Sequence, residues 1–525
     1  MSLRQLLPAR RIWLGAVVGA VALFLAYPPA GLYPLVLFAM VPLLQELELQ
    51  REEGASGWQA FLAGYWFGVL AQGLVLYWMV VALWHFTPLS LAGYLASIFI
   101  VLSPQWGFAA WATARIRRAT SLPLWLVFPV AWTATEWISG HYSDLRFPWL
   151  GLGTALAEAP LLAQAADLAG ARGLTFLVAL VNVLLMFPST ARDWSLRRRL
   201  PWYLAAAAVV AALAGYGRWR IRNLEPRLMT AVKVAVIQPN VGFDEKREGR
   251  DDDRIVQQLL DMSRRAVAQD SGVQLVAWPE AAVPNYFYSR PDWEALVASL
   301  AAELRRPILA GGLDVEFRDE RNYDNYNAAF FFDSTGRGGS WPSYRKTYLV
   351  PIVERVPFVN PDWFGSLRYF GGFERGRRFP VYIAGPGRGR FGVLICYESA
   401  FEDLARRYRR NGADFLLNIT NDAWFGRTAA PYQHAAHLVL RAIEVRAGIA
   451  RAANSGISGF VDPLGRLHDA TPLFTEEIRI GEVQTTEVRT LYLRLGDWVG
   501  LLSLGGTALL LVWSMRRRGA AASSS

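Results

Sequence analysis

Two long stretches without a formal charge govern what this chain can fold into. Residues 12–45 contain no Asp, Glu, Lys or Arg, and neither do residues 54–114. A helix that crosses a bilayer needs about 20 mostly apolar residues, with every backbone polar group satisfied inside the segment. "YPPAG" at 27–31 interrupts the first stretch and "HFTPLS" at 85–90 the second, so each predicts two spans. Apolar runs at 119–135, 173–191 and 200–217 predict the fifth to seventh spans. A run at 498–515, followed by three arginines, predicts the eighth. The second span follows the first closely, and no small-residue cleavage site ends the first. It therefore reads as a retained span, not a cleaved signal peptide. The hydrophobic share of 53% and the 21 tryptophans fit a membrane protein better than a freely soluble one.

The formal charge is +10. A basic balance can signal nucleic acid, but here the arginines cluster beside apolar segments, where they orient a chain in a bilayer. No nucleic-acid partner is expected. With the N-terminus inside, the inner segments hold Arg4, Arg10, Arg11, Arg51, Arg115, Arg117, Arg118, Arg192, Arg197, Arg198, Arg199 and Arg516 to Arg518. The outer short loops hold only Arg146 and Arg172. Seven spans before residues 232–490 then place that region outside. Arg218, Arg220 and Arg222 fall on the outer side, at the edge of a large domain whose translocation is less sensitive to charge.

The outer region alternates strand-like and helix-like segments. "VKVAVIQPNV", "VQLVAWPE", "PILAGGLDV", "YNAAFFFDSTGR", "RFGVLICYE" and "ADFLLNIT" read as strands. "DRIVQQLLDMSRRAVAQ", "DWEALVASLAAELRR", "SAFEDLARRYRRNG" and "YQHAAHLVLRAIEVRAG" read as helices, and "IARAANSGISGFVDPLGRL" as a final hairpin. Such alternation predicts a layered α/β domain. The expected divisions are 1–225, seven spans; 226–492, the outer domain; and 493–525, the last span and tail.

Cys396 is the only cysteine, so an intramolecular disulfide and a Cys-rich metal site are excluded. There is no HExxH pattern. His434 and His437 share a helical face, but a pair alone is weak evidence for a metal. No metal and no cofactor are expected. Three stretches bring reactive groups to strand ends: "VAWPEAAVP" with Glu280, "YRKTYLVPIVERVP" with Lys346 and Glu354, and "VLICYES" with Cys396 and Glu398. A thiol becomes a strong nucleophile only as thiolate. A carboxylate can take its proton, and a lysine can stabilise an oxyanion. These are the parts of an acyl-transfer site. Each also has a plainer reading. A lone Cys on a strand is usually a small buried hydrophobe. A Glu after Pro is often a helix N-terminal acid, and Lys346 could be solvated. Spacing alone does not show that the three stretches converge.

The set "WPE", "RKTYLVPxxE" and "GVLICYE", in this order, resembles the carbon–nitrogen hydrolase (nitrilase) superfamily across the whole outer domain. "RFPWLG" at 146–151, "NDAWFG" at 421–426 and the eight spans make the chain similar to the membrane acyltransferases of that superfamily, which complete bacterial lipoprotein maturation. The resemblance implies a nitrilase-like α-β-β-α sandwich beside an α-helical bundle of eight transmembrane helices. It implies Cys396 as nucleophile, Glu280 as general base and Lys346 as oxyanion-stabilising residue. Glu354 and Glu398 match further acidic residues of the site, and Tyr397 lies between the catalytic and acidic positions. Trp424 and Phe425 match aromatics on a loop at the pocket mouth. Val353 stands where a glycine often precedes the matching glutamate, which bears on the local turn and not on the role of Glu354. The implied partners are a phospholipid acyl donor, typically the sn-1 chain of phosphatidylethanolamine, a diacylglyceryl-cysteine apolipoprotein acceptor, and the bilayer. The implied setting is a monomer in a bacterial inner membrane, multi-pass, with its catalytic domain on the periplasmic side.

Two other functions compete. A tethered amidase acting on a small amide would need few spans. A transporter would need paired or functional charges inside its spans. The first four spans have none, and the clearest candidate is Glu136, near the outer end of the fifth.

Overall fold

The structure, a computed structural model, describes residues 10–85, 88–190, 194–242, 245, 251–319, 322–338, 343–356, 372–385, 387 and 389–522. Arg4 and Arg192, expected on the inner side, lie outside the described residues. So do Phe86 and Thr87 of the expected break between the third and fourth spans. The chain divides into two compact units, Met1–Ile221 with Leu495–Ser525, and Arg222–Arg494.

The first unit is helical. Its helices are α1 (Arg10–Ala26), α2 (Val41–Glu52), α3 (Gly57–Val75), α4 (Trp78–Trp84), α5 (Ser90–Ala96), α6 (Ser103–Ala119), α7 (Leu124–His141), α8 (Ala166–Thr190), α9 (Leu196–Leu224) and a C-terminal helix, Trp498–Ala522. A reciprocal cap starts α3. The Ser56 hydroxyl accepts from Gln59 N, and the Gln59 side chain accepts from Ser56 N. Helix α3 packs on α1 and α6, and α7 packs on α6, α8 and the C-terminal helix. Small residues set the approach. A Cβ on Gly64 would lie 2.5 Å from both Ala110 Cβ and Trp106 O.

Among the described residues, four helices are long and apolar enough to cross a membrane: Ser90–Ala119 (α5 and α6 joined through a π-helical turn at Ser97–Leu102), Ala166–Thr190, Leu196–Arg227 and Trp498–Arg516. The pair α3–α4, bent by 61°, makes a fifth if taken as one span. The other expected spans fall short by length or composition. The first contributes the shorter apolar helix Trp13–Ala26. The second is reduced to the 12 residues of α2, which carry Glu46, Glu48 and Arg51, because Tyr33–Leu37 forms a 3₁₀ turn. The fifth, α7, has 18 residues and includes Glu136 and His141.

Arg172 corrects a second expectation. It does not lie in an outer loop but in α8, just past a break at Gly170 (φ 65°). Its Nη1 is 3.1 Å from Glu136 Oε2, and both groups are buried. Glu136 also accepts from Leu152 N, Thr175 Oγ1 and Trp132 Nε1 at 2.9, 2.6 and 3.0 Å. Glu136 is therefore a paired anchor for the loop after "RFPW".

The second unit holds two six-stranded sheets. Its strands are β1 (Met229–Gln238), β2 (Leu275–Ala277), β3 (Ile308–Phe317), β4 (Tyr323–Phe332), β5 (Tyr344–Arg345), β6 (Tyr382–Ile383), β7 (Arg390–Ile395), β8 (Phe415–Thr420), β9 (Ile449–Ala453), β10 (Gly459–Val461), β11 (Leu467–His468) and β12 (Glu477–Thr485). One sheet runs β12-β1-β2-β3-β4-β5, the other β11-β10-β9-β8-β7-β6. Each has three parallel central strands flanked by antiparallel ones. The sheets meet face to face through β1 against β9, β12 against β8 and β4 against β7. Every residue of β8 and β9 is buried, which explains why they are apolar apart from Asn418, Thr420 and Arg451.

Helices α10 (Asp252–Gln269) and α11 (Pro291–Leu304) cover the first sheet, and α12 (Glu402–Arg410) and α13 (Ala430–Val445) cover the second. On α10, Ile255, Leu259, Met262 and Ala266 recur at helical spacing and pack with Ile237, Val276 and Trp278. The result is the nitrilase-like α-β-β-α sandwich. Strand β12 was not anticipated from the sequence. It pairs antiparallel with β1 from Met229↔Thr485 to Gln238↔Glu477.

Candidate active site

Strand β7 ends at Ile395, and Cys396 then adopts φ 51°, a left-handed conformation that a non-glycine residue takes only when its surroundings enforce it. A 3₁₀ turn, Cys396–Ala400, follows at once. This sharp turn lifts the cysteine off the strand end. Glu398 enforces it. Its carboxylate accepts from Ile395 N at 2.7 Å, Thr347 N at 2.7 Å, Tyr348 N at 3.1 Å and Tyr344 OH at 2.8 Å. Glu398 is fully buried. Burial pushes it up to about 7, while its backbone donors and Lys346 act in the opposite sense. The acid beside the cysteine thus ties the elbow to the segment that carries Lys346.

Lys346 follows β5 and sits between two carboxylates. Its Nζ is 3.1 Å from Glu280 Oε1 and 2.9 Å from Glu354 Oε1. Asn327, on the neighbouring β4, donates to the same two oxygens at 2.7 and 2.9 Å. The outer oxygens are held by backbone: Asn421 N to Glu280 Oε2 and Val350 N to Glu354 Oε2, each at 2.8 Å. Lys346 is 1% exposed, Glu280 6% and Glu354 7%, so little water screens these charges. Ala281 (φ 47°) and Ile352 (φ 71°) are also left-handed and adjoin this cluster.

The electrostatics fix the resting charges. Burial disfavours a charge on Lys346, but Glu280 and Glu354, with a smaller contribution from Cys396, outweigh it and raise its pKa well above the ordinary value. Burial pushes the Cys396 thiol well up, Glu280 pushes it further, and Lys346 opposes both. These shifts favour a neutral thiol at Cys396 beside a charged Lys346. Such a set can transfer a proton as the sulfur attacks, and can hold an oxyanion with fixed charge in a dry setting.

Beneath the elbow lies a second polar layer. Thr420 is within hydrogen-bonding reach of the thiol and donates to Asp422 Oδ1 at 2.9 Å. Asp422 also meets His434 Nδ1 at 3.0 Å and Arg451 Nη2 at 2.8 Å. Burial works against its charge, yet Arg451 and His434 hold it down to about 2. Tyr397 is buried with its ring edge-on to Phe401 at 5.0 Å. Trp424 and Phe425 stack at 4.6 Å on the loop after β8. Phe425 is buried, Trp424 is half-buried, and Gly426 (φ 60°) ends their turn.

The structure therefore brings Glu280, Lys346 and Glu354 into direct contact and sets Cys396 in their field. Sequence reasoning missed Asn327, Tyr344, Thr420, Asn421, Asp422 and Arg451, and saw His434 only as half of a histidine pair. One signal was available. Asn327, Asn418 and Arg451 interrupt otherwise apolar strands, and a polar residue in a core strand needs a partner.

Residues 233–492 match the family model described as carbon-nitrogen hydrolase, and residues 19–184 the one described as apolipoprotein N-acyltransferase N-terminal domain. The chain is 32% identical over 519 residues to a Geobacter metallireducens protein named apolipoprotein N-acyltransferase, covering 97% of this chain and 96% of that one. A protein of the same name from Bradyrhizobium diazoefficiens is 32% identical over 550 residues, covering 97% and 95%. Among solved structures, an amidase from Nesterenkonia sp. AN1 is similar at 18% identity and a TM-score of 0.36, covering 51% of this chain and 97% of that one.

Proposed function

This chain belongs to the apolipoprotein N-acyltransferase family, and from that premise we propose that it carries an acyl group as a thioester on Cys396. It is an N-acyltransferase of lipoprotein biosynthesis. The donor in this reading is a membrane phospholipid, typically phosphatidylethanolamine at sn-1. The acceptor is the α-amino group of a diacylglyceryl-cysteine at a lipoprotein N-terminus.

The reaction is ping-pong. Glu280 takes the thiol proton as Sγ attacks the ester carbonyl. Lys346 and backbone N–H groups hold the oxyanion. Collapse expels the lysophospholipid oxygen, which recovers the proton from Glu280, and the thioester remains. The acceptor amine then attacks the thioester carbonyl and gives its proton to Glu280. The thiolate leaves and is reprotonated by Glu280. Glu354 keeps Lys346 charged and oriented throughout. The protein's own side chains and backbone N–H groups carry every step of this scheme. The Trp424–Phe425 loop closes over the thioester and keeps water out. The protein is a monomer of the bacterial inner membrane that crosses it eight times, with this chemistry on the periplasmic face.

The carrying observation is Lys346 clamped between Glu280 and Glu354 in the field of a cysteine on a left-handed elbow. The test is intact-mass spectrometry after incubation with phosphatidylethanolamine, wild type beside Cys396→Ser. An acyl-sized adduct is expected on wild type, released by hydroxylamine and absent from the mutant. Active protein without an adduct, consuming a small amide instead, would overturn this reading in favour of a tethered amidase.

A further inference from the structure

His434 stands on α13, directly under the nucleophile elbow. Its Nε2 lies 2.9 Å from the carbonyl oxygen of Cys396. A carbonyl only accepts, so Nε2 carries the hydrogen. The other ring nitrogen faces Asp422 Oδ1 at 3.0 Å and Arg451 Nη2 at 3.1 Å. Asp422 is held in turn by Arg451 and the Thr420 hydroxyl. Arg451 is anchored to Ile457 O at 2.9 Å and to Asn418 Oδ1. His434, Asp422, Thr420, Asn418 and Arg451 are each at most 1% exposed. The edge of Phe425 closes on the His434 ring at 6.1 Å. The polar partners of the imidazole, Asp422 and Arg451, are thus themselves held by further hydrogen bonds.

We infer that His434 is a positioning residue for acyl transfer: its Nε2–H fixes and polarises the peptide unit between Cys396 and Tyr397. The inference rests on the thioester reading above. In a trans peptide the carbonyl and the following N–H point to opposite sides of one plane. Holding the Cys396 oxygen downward therefore aims the Tyr397 N–H upward, toward the sulfur's side of the turn. In nucleophile elbows the N–H after the nucleophile is an oxyanion donor. A hydrogen bond to the carbonyl also strengthens the N–H of the same amide, because bonds in series polarise one another. Cys396 cannot hold this plane by itself, since its φ of 51° is one that a non-glycine residue leaves when released.

A positioning role separates two reactions of the same sulfur. Acylation by phospholipid forms an oxyanion, whereas alkylation by iodoacetamide needs only the thiolate. Both are measured on the full chain in vesicles containing phosphatidylethanolamine, for wild type, His434→Gln and His434→Asn. The glutamine amide nitrogen reaches the Nε2 position, whereas that of asparagine stops near Nδ1 and leaves the Cys396 carbonyl without its donor. Removing one oxyanion donor outright costs about 10²–10³ in rate. Misaiming one is expected to slow single-turnover lysophospholipid release by roughly 10–100-fold in His434→Asn, with alkylation within about threefold of wild type. His434→Gln should recover most of the acylation rate. If the asparagine variant does not fold, His434→Leu replaces it as the donor-free form. Wild-type acylation in a folded donor-free variant overturns the inference. So does a parallel loss of both reactions, which marks a merely structural histidine, and so does a glutamine variant no better than asparagine. Wild type that never acylates refutes the thioester reading instead and is scored separately.

Discussion

Glu280 and Lys346 act on the thiol of Cys396 in opposite senses, and that opposition can be measured. Burial and Glu280 both raise the thiol, while Lys346 lowers it. Little thiolate therefore exists near neutrality, and wild-type alkylation should rise about tenfold per pH unit from 7 to 9 without a plateau. Glu280→Gln removes a negative charge that disfavours thiolate, so alkylation at pH 7 should become faster. Phospholipid acylation should nevertheless fall by roughly 10²–10⁴, because the proton acceptor is gone. Lys346→Met should slow both. A Glu280→Gln variant that is slower in both would remove the base assignment. Trp424 makes a separate prediction. It stacks on Phe425, which leans on His434. Trp424→Ala should slow transfer or raise the share of thioester lost to water. Release of free fatty acid beside N-acylated peptide measures the split, and unchanged values of both dispose of the lid.

At the scale of elements, Glu398 joins two of them that are distant in sequence. Its oxygens serve Ile395 N at the end of β7, and Thr347 N and Tyr348 N just after β5. Glu398→Gln keeps the shape but turns an NH₂ toward one of these donors. A buried donor left unmet costs about 1–3 kcal/mol, and thermal unfolding of the purified protein should show a loss of that size. The first unit offers a parallel case. Arg172→Leu strands Glu136 without its cation, and breaking one side of a buried pair costs about 3–5 kcal/mol. Adding Glu136→Leu should restore part of that loss in the same melting experiment. These two pairs also show what sequence could and could not give. The strands that carry Glu280 and Cys396 are legible, because parallel strands buried on both faces read as apolar runs bounded by turns. Strand β12 is less so. In "EIRIGEVQT" Ile478 and Ile480 alternate with charges as in an edge strand, but Gly481 and Glu482 break the period before Val483, and the run resembles a solvated loop until β1 is seen beside it. The bounds of the second expected span are blurred for a related reason. Absence of charge marks where α2 and its preceding 3₁₀ turn lie, but not that Pro34 and Pro42 divide the stretch. Convergence of Asn327, Asp422, His434 and Arg451 depends on hydrogen bonds across two sheets, and no local pattern encodes that.

At the scale of the whole molecule, every group in the proposed chemistry belongs to Arg222–Arg494. That unit has its own core between α10, α11 and the first sheet, and both sheets are complete within it. Among the described residues, the hydrogen-bond partners given above for its elbow, its clamp and its buried polar layer lie within the unit. The excised unit should consequently fold by itself, melt cooperatively, and expose Cys396 to iodoacetamide at close to the rate of the full chain. The reaction on lipid should not survive excision. A thiol that must meet an ester in a bilayer gains from being held at that bilayer, since tethering converts a search in three dimensions into an intramolecular encounter. Lysophospholipid release by the excised unit from phosphatidylethanolamine vesicles should fall by about 10² or more, while a water-soluble thioester is still consumed. Equal rates on vesicles for the unit and the full chain would refute this tethering argument. A unit that folds and alkylates normally but loses only lipid chemistry would mean that holding the thiol at the bilayer is what the helical unit supplies.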